Sequence, residues 1–413
     1  MKRRGKSRVV MVVGGSILML FLAGAPMLVP SEGTTSGDQL VAHAQRQRGG
    51  GEVICQLRPG RSALTVARRH NLQLIGDLED DFYVFSYTSP ATAWQVINQL
   101  RADGDVRSAE PNYWVRVPEV EQRSVAFVDQ RSVAFVDGLS PTDYFGQYAV
   151  TLIRAEEAQA IAQGEGVTVA VIDTGIDAGH PAIAARRLVR GFDFVDKDRN
   201  PAEVPGGMAY GHGTMVAGIV GLIAPRARLM PIRAFDPDGI GKISEVATAI
   251  RYAVRAGADV INMSFGIPGS SGPEVLRAAV DYAARHGVIL VASAGNDSTS
   301  SPEYPASDDD VLAVAATDSG DVKAPFSNYG SHIDVSAPGV SIYSAFPGGR
   351  FGWGSGTSYA AAFVSGEAAL VISAGRWNVR WAILRSAVNI DRLNPGYAGL
   401  LGRGRIDVLG AVR

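Results

Sequence analysis

The stretch Val167-Thr-Val-Ala-Val-Ile172, running directly into Asp173-Thr-Gly-Ile-Asp177, decides the fold. It lacks the in–out alternation of a strand with one wet face. A nearly continuous apolar strand suits a parallel sheet covered on both faces. Asp259-Val-Ile-Asn-Met263, Val288-Ile-Leu-Val-Ala292 and Val311-Leu-Ala-Val-Ala315 repeat the type. Around them, His212 to Ile223, Ser244 to Ala256 and Pro273 to His286 have helical spacing. This alternation predicts an α/β domain over residues 141–413, built on a doubly wound, mostly parallel sheet. Functional residues of such sheets collect at the carboxyl ends of the strands, so Asp173 stands where chemistry is expected.

Upstream the chain changes character. Its 413 residues are 46% hydrophobic and 19% charged, which fits a sizeable folded core and excludes global disorder. The net charge of −2 divides unevenly, +5 over residues 1–51 and −7 beyond, and nothing in it marks a nucleic-acid surface. A single cysteine, Cys55, excludes an internal disulfide framework. Basic Lys2 to Arg8, apolar Val9 to Val29 and the Ala42-His43-Ala44 cleavage pattern read as a secretory signal over residues 1–44. The apolar run is also as long as a membrane span, so a retained anchor is the alternative. Gly14-Gly15, Gly24 and Pro26 interrupt the run and favour cleavage. The expected location is secreted or periplasmic, with membrane attachment only if the leader is kept.

Residues 45–51 read as a Gln/Arg/Gly spacer, and 52–117 as a small α+β unit. Glu52 to Leu57 and Asp81 to Tyr87 look like strands, and Ser62 to His70 and Pro90 to Arg101 like helices, the second with Trp94, Ile97 and Leu100 on one face. Val106 to Val117 reads as one extended segment. So small a unit is marginal alone and is expected to pack on something. Residues 118–140 form a linker in which Gln122-Arg-Ser-Val-Ala-Phe-Val-Asp129 is copied residue for residue as Gln130 to Asp137. Two copies are too few for a solenoid; a short docking strand is the alternative to a plain linker.

Three pieces carry chemistry. Asp173 can bind a metal, orient a histidine or cap the turn that follows it. His212 stands between two glycines in Gly211-His-Gly-Thr214, which frees its imidazole of neighbours. Ser358, in Gly356-Thr-Ser358, follows a glycine-rich approach and leads a small-residue helix, where it is either an N-cap or a nucleophile. A nucleophilic serine needs a base and a carboxylate to hold that base. Of six histidines, His43, His70, His180, His286 and His332 lie in the leader, the N-terminal unit, a turn, a helix end and a loop, leaving His212. An α/β-hydrolase order is excluded, because no histidine follows Ser358 and Ala360 replaces the last glycine of that motif.

With the order Asp173, His212, Ser358 in place, the chain resembles a subtilisin-type serine protease (subtilase, peptidase S8 family) from about Asp143 to Arg413. The blocks Val171-Ile-Asp173-Thr-Gly-Ile-Asp, Gly211-His212-Gly-Thr, Gly356-Thr-Ser358 and Ala292-Ser-Ala-Gly-Asn296 carry the likeness. The resemblance implies Ser358 as nucleophile, His212 as base and Asp173 as its orienting group, with Asn296 holding the oxyanion. It also implies that Met263-Ser264-Phe265-Gly266 and Ser293-Ala294-Gly295 bind substrate polypeptide. Neither stretch is charged, which suggests an apolar or broad preference at that subsite. Residues 52–117 are similar to the family's inhibitory propeptide, of ferredoxin-like α+β form, so a self-processing zymogen is implied, with its own propeptide as intramolecular partner. Met215 stands where the family often has a second histidine, and Ala362 where it often has proline. No cofactor is implied for the chemistry. Structural calcium is possible, and Asp193, Asp196, Asp198 and Asn200 alternate hard oxygen donors that suit it. A dedicated anchored maturation protease and a catalytically silent binding protein are the rival readings.

Overall fold

The computed structural model describes residues 51–88, 92–118, 133–135, 141–183 and 187–413. The expected leader, the spacer up to residue 50 and most of the linker lie outside the described residues. Strand Thr168–Asp173 sits inside a seven-stranded sheet whose order is Val335–Pro338, Val311–Thr317, Ile289–Ser293, Val260–Met263, Thr168–Asp173, Arg228–Arg233 and Phe192–Asp193. Every ladder in it is parallel. Successive residues of the central strand serve opposite cores. Val169 and Val171 pack with helices His212–Ile223 and Thr357–Ser373, while Ala170 and Ile172 pack with Ile243–Arg255 and Glu274–Arg285. Two covered faces explain the unbroken apolar run.

The helices differ as the faces do. Ile243–Arg255 and Glu274–Arg285 are amphipathic and turn one side to solvent. All of His212–Ile223 is buried, and so is most of Thr357–Ser373. These two helices touch through glycine: a Cβ at Gly366 would lie 2.7 Å from the Ile223 Cβ. Strand Arg228–Arg233 escapes the periodicity because Pro231 interrupts it and arginines bound it. Pro231 withholds one ladder donor, and the neighbouring strand Phe192–Asp193 is only two residues long.

The N-terminal unit alternates strands and helices as Gly51–Leu57, Ala63–Arg69, Gln73–Asp77, Phe82–Tyr87, Ala93–Arg101 and Val106–Pro111. Its antiparallel sheet has the order Gln73–Asp77, Phe82–Tyr87, Gly51–Leu57, Val106–Pro111. Ser62 caps the first helix, and a Thr92/Gln95 capping box opens the second. The inner face of that second helix is Ala93, Val96, Ile97 and Leu100. Trp94, expected among them, is instead 40% exposed, beneath the Arg101 guanidinium. Cys55 is buried in this core, where desolvation pushes its thiol up to about 12.

The segment read as one extended piece, Val106 to Val117, is two strands. Val106–Pro111 pairs with Gly51–Leu57 inside the unit, whereas Trp114–Arg116 pairs antiparallel with Ile240–Lys242 of the α/β domain. Asn112 marks the switch, donating to Glu52 Oε2 at 2.8 Å and to Ser244 Oγ at 2.9 Å. Ile54, Phe82 and Val84 share one core with Ile243, Val246 and Ile250 of the facing helix. Asp80 pairs with Arg251 and Glu79 with Arg255, each at 2.6 Å. Glu110 accepts the Glu274 and Val275 N–H groups at 2.8 and 2.9 Å, satisfying donors at a helix N-terminus. In the second octapeptide copy, the backbone of Val133–Phe135 pairs with Gly352–Gly354.

One buried acid stands apart. Glu367, inside the Thr357–Ser373 helix, is fully buried, and neither carboxyl oxygen has a hydrogen-bond partner among the described residues. Burial, reinforced by Asp407, pushes its carboxyl well above the usual range. Such a group contributes its full stability below its unfolded pKa and loses it as pH rises. In a Ser358→Ala background, Glu367→Met is expected to raise unfolding stability by about 1–3 kcal/mol near neutral pH. Denaturant melts are expected to show that gain shrinking toward about pH 4; a gain independent of pH would contradict the buried-acid account.

Candidate active site

The carboxyl end of the central strand delivers Asp173, fully buried, and the N-terminus of His212–Ile223 delivers His212 beside it. His212 Nδ1 lies 2.7 Å from Asp173 Oδ1, which also accepts the Thr174 N–H at 2.7 Å. The flanking glycines have steric reasons. Gly211 is the helix N-cap at φ 93°, in the left-handed region, and a Cβ there would lie 2.2 Å from the Phe346 ring. A Cβ at Gly213 would lie 2.2 Å from the Gly175 carbonyl oxygen and 3.0 Å from Asp173 Cβ.

Ser358 is the second residue of helix Thr357–Ser373, whose N-cap is Gly356, so the capping reading of Ser358 gives way to a place in the first turn. The ring of Tyr359, the next residue, stands 5.9 Å from the His212 ring. Tyr359 also donates its hydroxyl to Met215 Sδ at 3.7 Å, the residue where a second histidine is common in the resembled family. Polar contacts fix the serine helix to the sheet. Ser264 Oγ donates to the Ser358 carbonyl oxygen at 3.3 Å, and Ser365 Oγ to Asn262 Oδ1 at 2.9 Å. Asn296 Oδ1 accepts from the Thr357 N–H and hydroxyl, both at 2.9 Å. With its oxygen so held, the amide of Asn296 presents NH2 as its donor end.

The two expected substrate stretches flank this point from adjacent strands, Val260–Met263 and Ile289–Ser293. Met263, Phe265 and Ala294 turn their side chains into the core, while Ser264 and Gly295 bond to the serine helix. Gly266 bridges to Arg116 of the N-terminal unit, its N–H reaching the Arg116 carbonyl oxygen at 3.4 Å.

Sequence reasoning missed Glu203. Its carboxylate accepts from Gly211 N–H at 3.1 Å, from Thr214 N–H at 3.0 Å and from the Thr214 and Thr174 hydroxyls at 3.2 Å. It therefore ties the residue after Asp173 to the residues around His212. Burial pushes its carboxyl up to about 7 against the pull of those N–H donors, and the Asp173 charge adds to the rise. No motif marks it, since it lies nine residues before His212 in a Pro201–Pro205 loop. The signal available was Thr174 and Thr214, two hydroxyls following the two key residues.

The acidic loop expected to suit calcium is otherwise occupied. Asp193 Oδ2 and Asp196 Oδ2 pair with buried Arg233 at 2.7 and 2.5 Å, and Asp193 Oδ1 accepts from Val195 and Asp196 N–H. Among the described residues no group of three or more His, Cys, Asp or Glu is arranged to hold a metal. Asp193 and Asp196 are thereby engaged by Arg233.

The fold is a doubly wound parallel sheet, with the Asp173–His212 pair at the carboxyl end of its central strand. The family model described as the subtilase family matches residues 164–393. Thermitase of Thermoactinomyces vulgaris is 39% identical over 289 residues, covering 66% of this chain and 99% of thermitase. The thermophilic serine proteinase of Bacillus sp. strain AK1 is 40% identical over 329 residues, covering 77% of this chain and 75% of that protein. Among solved structures, fervidolysin from Fervidobacterium pennivorans, a keratinolytic enzyme related to subtilisin, matches with a TM-score of 0.71 at 25% identity. That match covers 88% of this chain and 61% of the fervidolysin chain. The chain belongs to the subtilase family and is a serine endopeptidase of the subtilisin type.

Glu203 yields a pH test. When ionised it adds negative potential beside the Asp173–His212 pair and so favours protonated His212. Glu203→Gln removes that charge, so the acidic limb of the kcat/KM profile is expected to move to lower pH. A limb that stays in place or moves upward would contradict the electrostatic role.

Proposed function

We propose that the chain is an exported, self-processing zymogen of a serine endopeptidase, in which residues 52–117 hold the substrate cleft until they are cut away. The observation that carries this reading is the pairing of Trp114–Arg116 with Ile240–Lys242, together with the Arg116–Gly266 bridge. The unit thereby adds one of its own strands along the edge an extended polypeptide substrate would use. Val117 continues the pairing, its N–H bonding the Gly239 carbonyl oxygen at 3.0 Å. A unit docked through shared core, ion pairs and an added strand occupies the cleft in the manner of a substrate.

In the proposed mechanism Ser358 Oγ attacks the scissile carbonyl carbon while His212 Nε2 takes its proton. Asp173, 2.7 Å from Nδ1, fixes the tautomer that leaves Nε2 as base and stabilises the imidazolium. The Asn296 amide NH2 donates to the oxyanion, a contribution worth about 10²–10³ in kcat in comparable sites. Collapse expels the amine, which takes the proton from His212, and leaves an acyl-enzyme. Water, activated by the same imidazole, then releases the acid and restores Ser358. Export rests on the basic-apolar leader and its Ala42-His43-Ala44 pattern. Among the described residues no helix is long and apolar enough to cross a membrane.

Ser358→Ala decides self-processing. The variant is expected to accumulate as an uncut chain retaining residues 52–117, where the wild type yields a shorter one by mass spectrometry. The same cleaved form in both would mean that another protease does the cutting.

A further inference from the structure

The two stretches are uncharged, yet a carboxylate from a separate strand packs against both of them. Glu303, at the start of the two-residue strand Glu303–Tyr304, pairs beside Ile267–Pro268 and is 9% exposed. Its carboxylate lies across the two glycines that end those stretches. A Cβ at Gly266 would stand 2.1 Å from Glu303 Oε2, and one at Gly295 2.1 Å from Glu303 Oε1. Asn328 holds the carboxylate there, its Nδ2 donating to Oε1 and to the Ala294 carbonyl oxygen, both at 3.0 Å. Asn328 Oδ1 in turn accepts the Asp297 and Thr299 N–H groups at 3.0 and 3.1 Å, which anchors the amide. The two stretches reach the serine helix on either side: Gly295 N–H bonds Thr357 Oγ1 at 3.2 Å, and Ser264, two residues before Gly266, bonds the Ser358 carbonyl oxygen.

We infer that Glu303 is the specificity-determining residue of the pocket that receives the side chain preceding the cut bond, and that it selects lysine or arginine there. This inference rests on the endopeptidase reading of Ser358. A polypeptide laid along Gly266, with its scissile carbonyl between Ser358 and Asn296, puts that side chain between the two stretches, where it meets the carboxylate. A cationic end group forms a charge-assisted pair in a water-poor setting. An acidic side chain is repelled, and an aromatic one leaves the carboxylate desolvated against carbon. The apolar or broad preference expected from the flanking stretches is thereby replaced, because the deciding residue arrives from a separate strand.

The test uses protein matured from the full chain and a peptide series identical except before the cut bond, carrying Arg, Lys, Phe, Leu or Glu. Wild type is expected to hydrolyse the Arg and Lys peptides at least about tenfold better in kcat/KM than the Phe peptide. Glu303→Gln is expected to collapse that ratio, with circular dichroism and melting reporting that the variant is folded. Equal or better hydrolysis of Phe or Leu by wild type, or an unchanged ratio in Glu303→Gln, would overturn the assignment. If no peptide is hydrolysed, the endopeptidase reading fails instead, and calorimetry with benzamidine judges the pocket. Binding lost in Glu303→Gln supports it, and absence of binding to wild type refutes it.

Discussion

Much of the molecule can be understood from the need to bring a carboxylate at a strand end and an imidazole at a helix start within 2.7 Å of each other. The approach requires Gly213, because a Cβ there would meet the backbone of Gly175 and the side chain of Asp173. It requires the His212–Ile223 helix to lie buried against the sheet, and that in turn requires a helix of small and apolar residues on every side. Glu203 then closes the arrangement, bonding the turn after Asp173 to both sides of His212.

The serine helix answers the same demand from the other side. Gly366 lets it close on Ile223, and Asn262, Ser264 and Ser365 bind it polar group to polar group onto the strand beneath. Asn296 is held by the turn it faces, through Thr357, so the proposed oxyanion donor and the residue before the proposed nucleophile are joined by one set of bonds. Preorganisation of this kind is what electrostatic catalysis needs. The N-terminal unit contributes no reacting group, but it completes two edges of the domain. Its strand satisfies the open edge at Ile240–Lys242, and Glu110 satisfies the exposed N–H groups of the Glu274–Arg285 helix. Removing the unit returns those groups to solvent or to substrate.

The central strands and the main helices were legible in the sequence because burial on both faces leaves an unbroken apolar signature, as in Val167 to Ile172. The candidate residues were legible because glycine and chain order constrain where His212 and Ser358 can stand. What escaped was set by contacts distant in sequence. Pro231 concealed a strand whose partner is the central one. The break at Asn112 depends on Ser244, and the fate of Asp193 and Asp196 depends on Arg233. Trp94 sat in phase with Ile97 and Leu100, yet the inner face of its helix is carried by Val96 instead. Glu203 and Glu303 carry no motif, and each reaches its site from a loop or a short strand.

The central claim is that the Asp173–His212 contact sets the imidazole for base chemistry. Asp173→Asn keeps the size of the side chain and removes its charge and its preference for a protonated Nδ1. Steady-state kinetics of folded Asp173→Asn at neutral pH are predicted to show kcat lowered by about 10⁴. A variant that retains kcat within about tenfold of wild type would contradict the account.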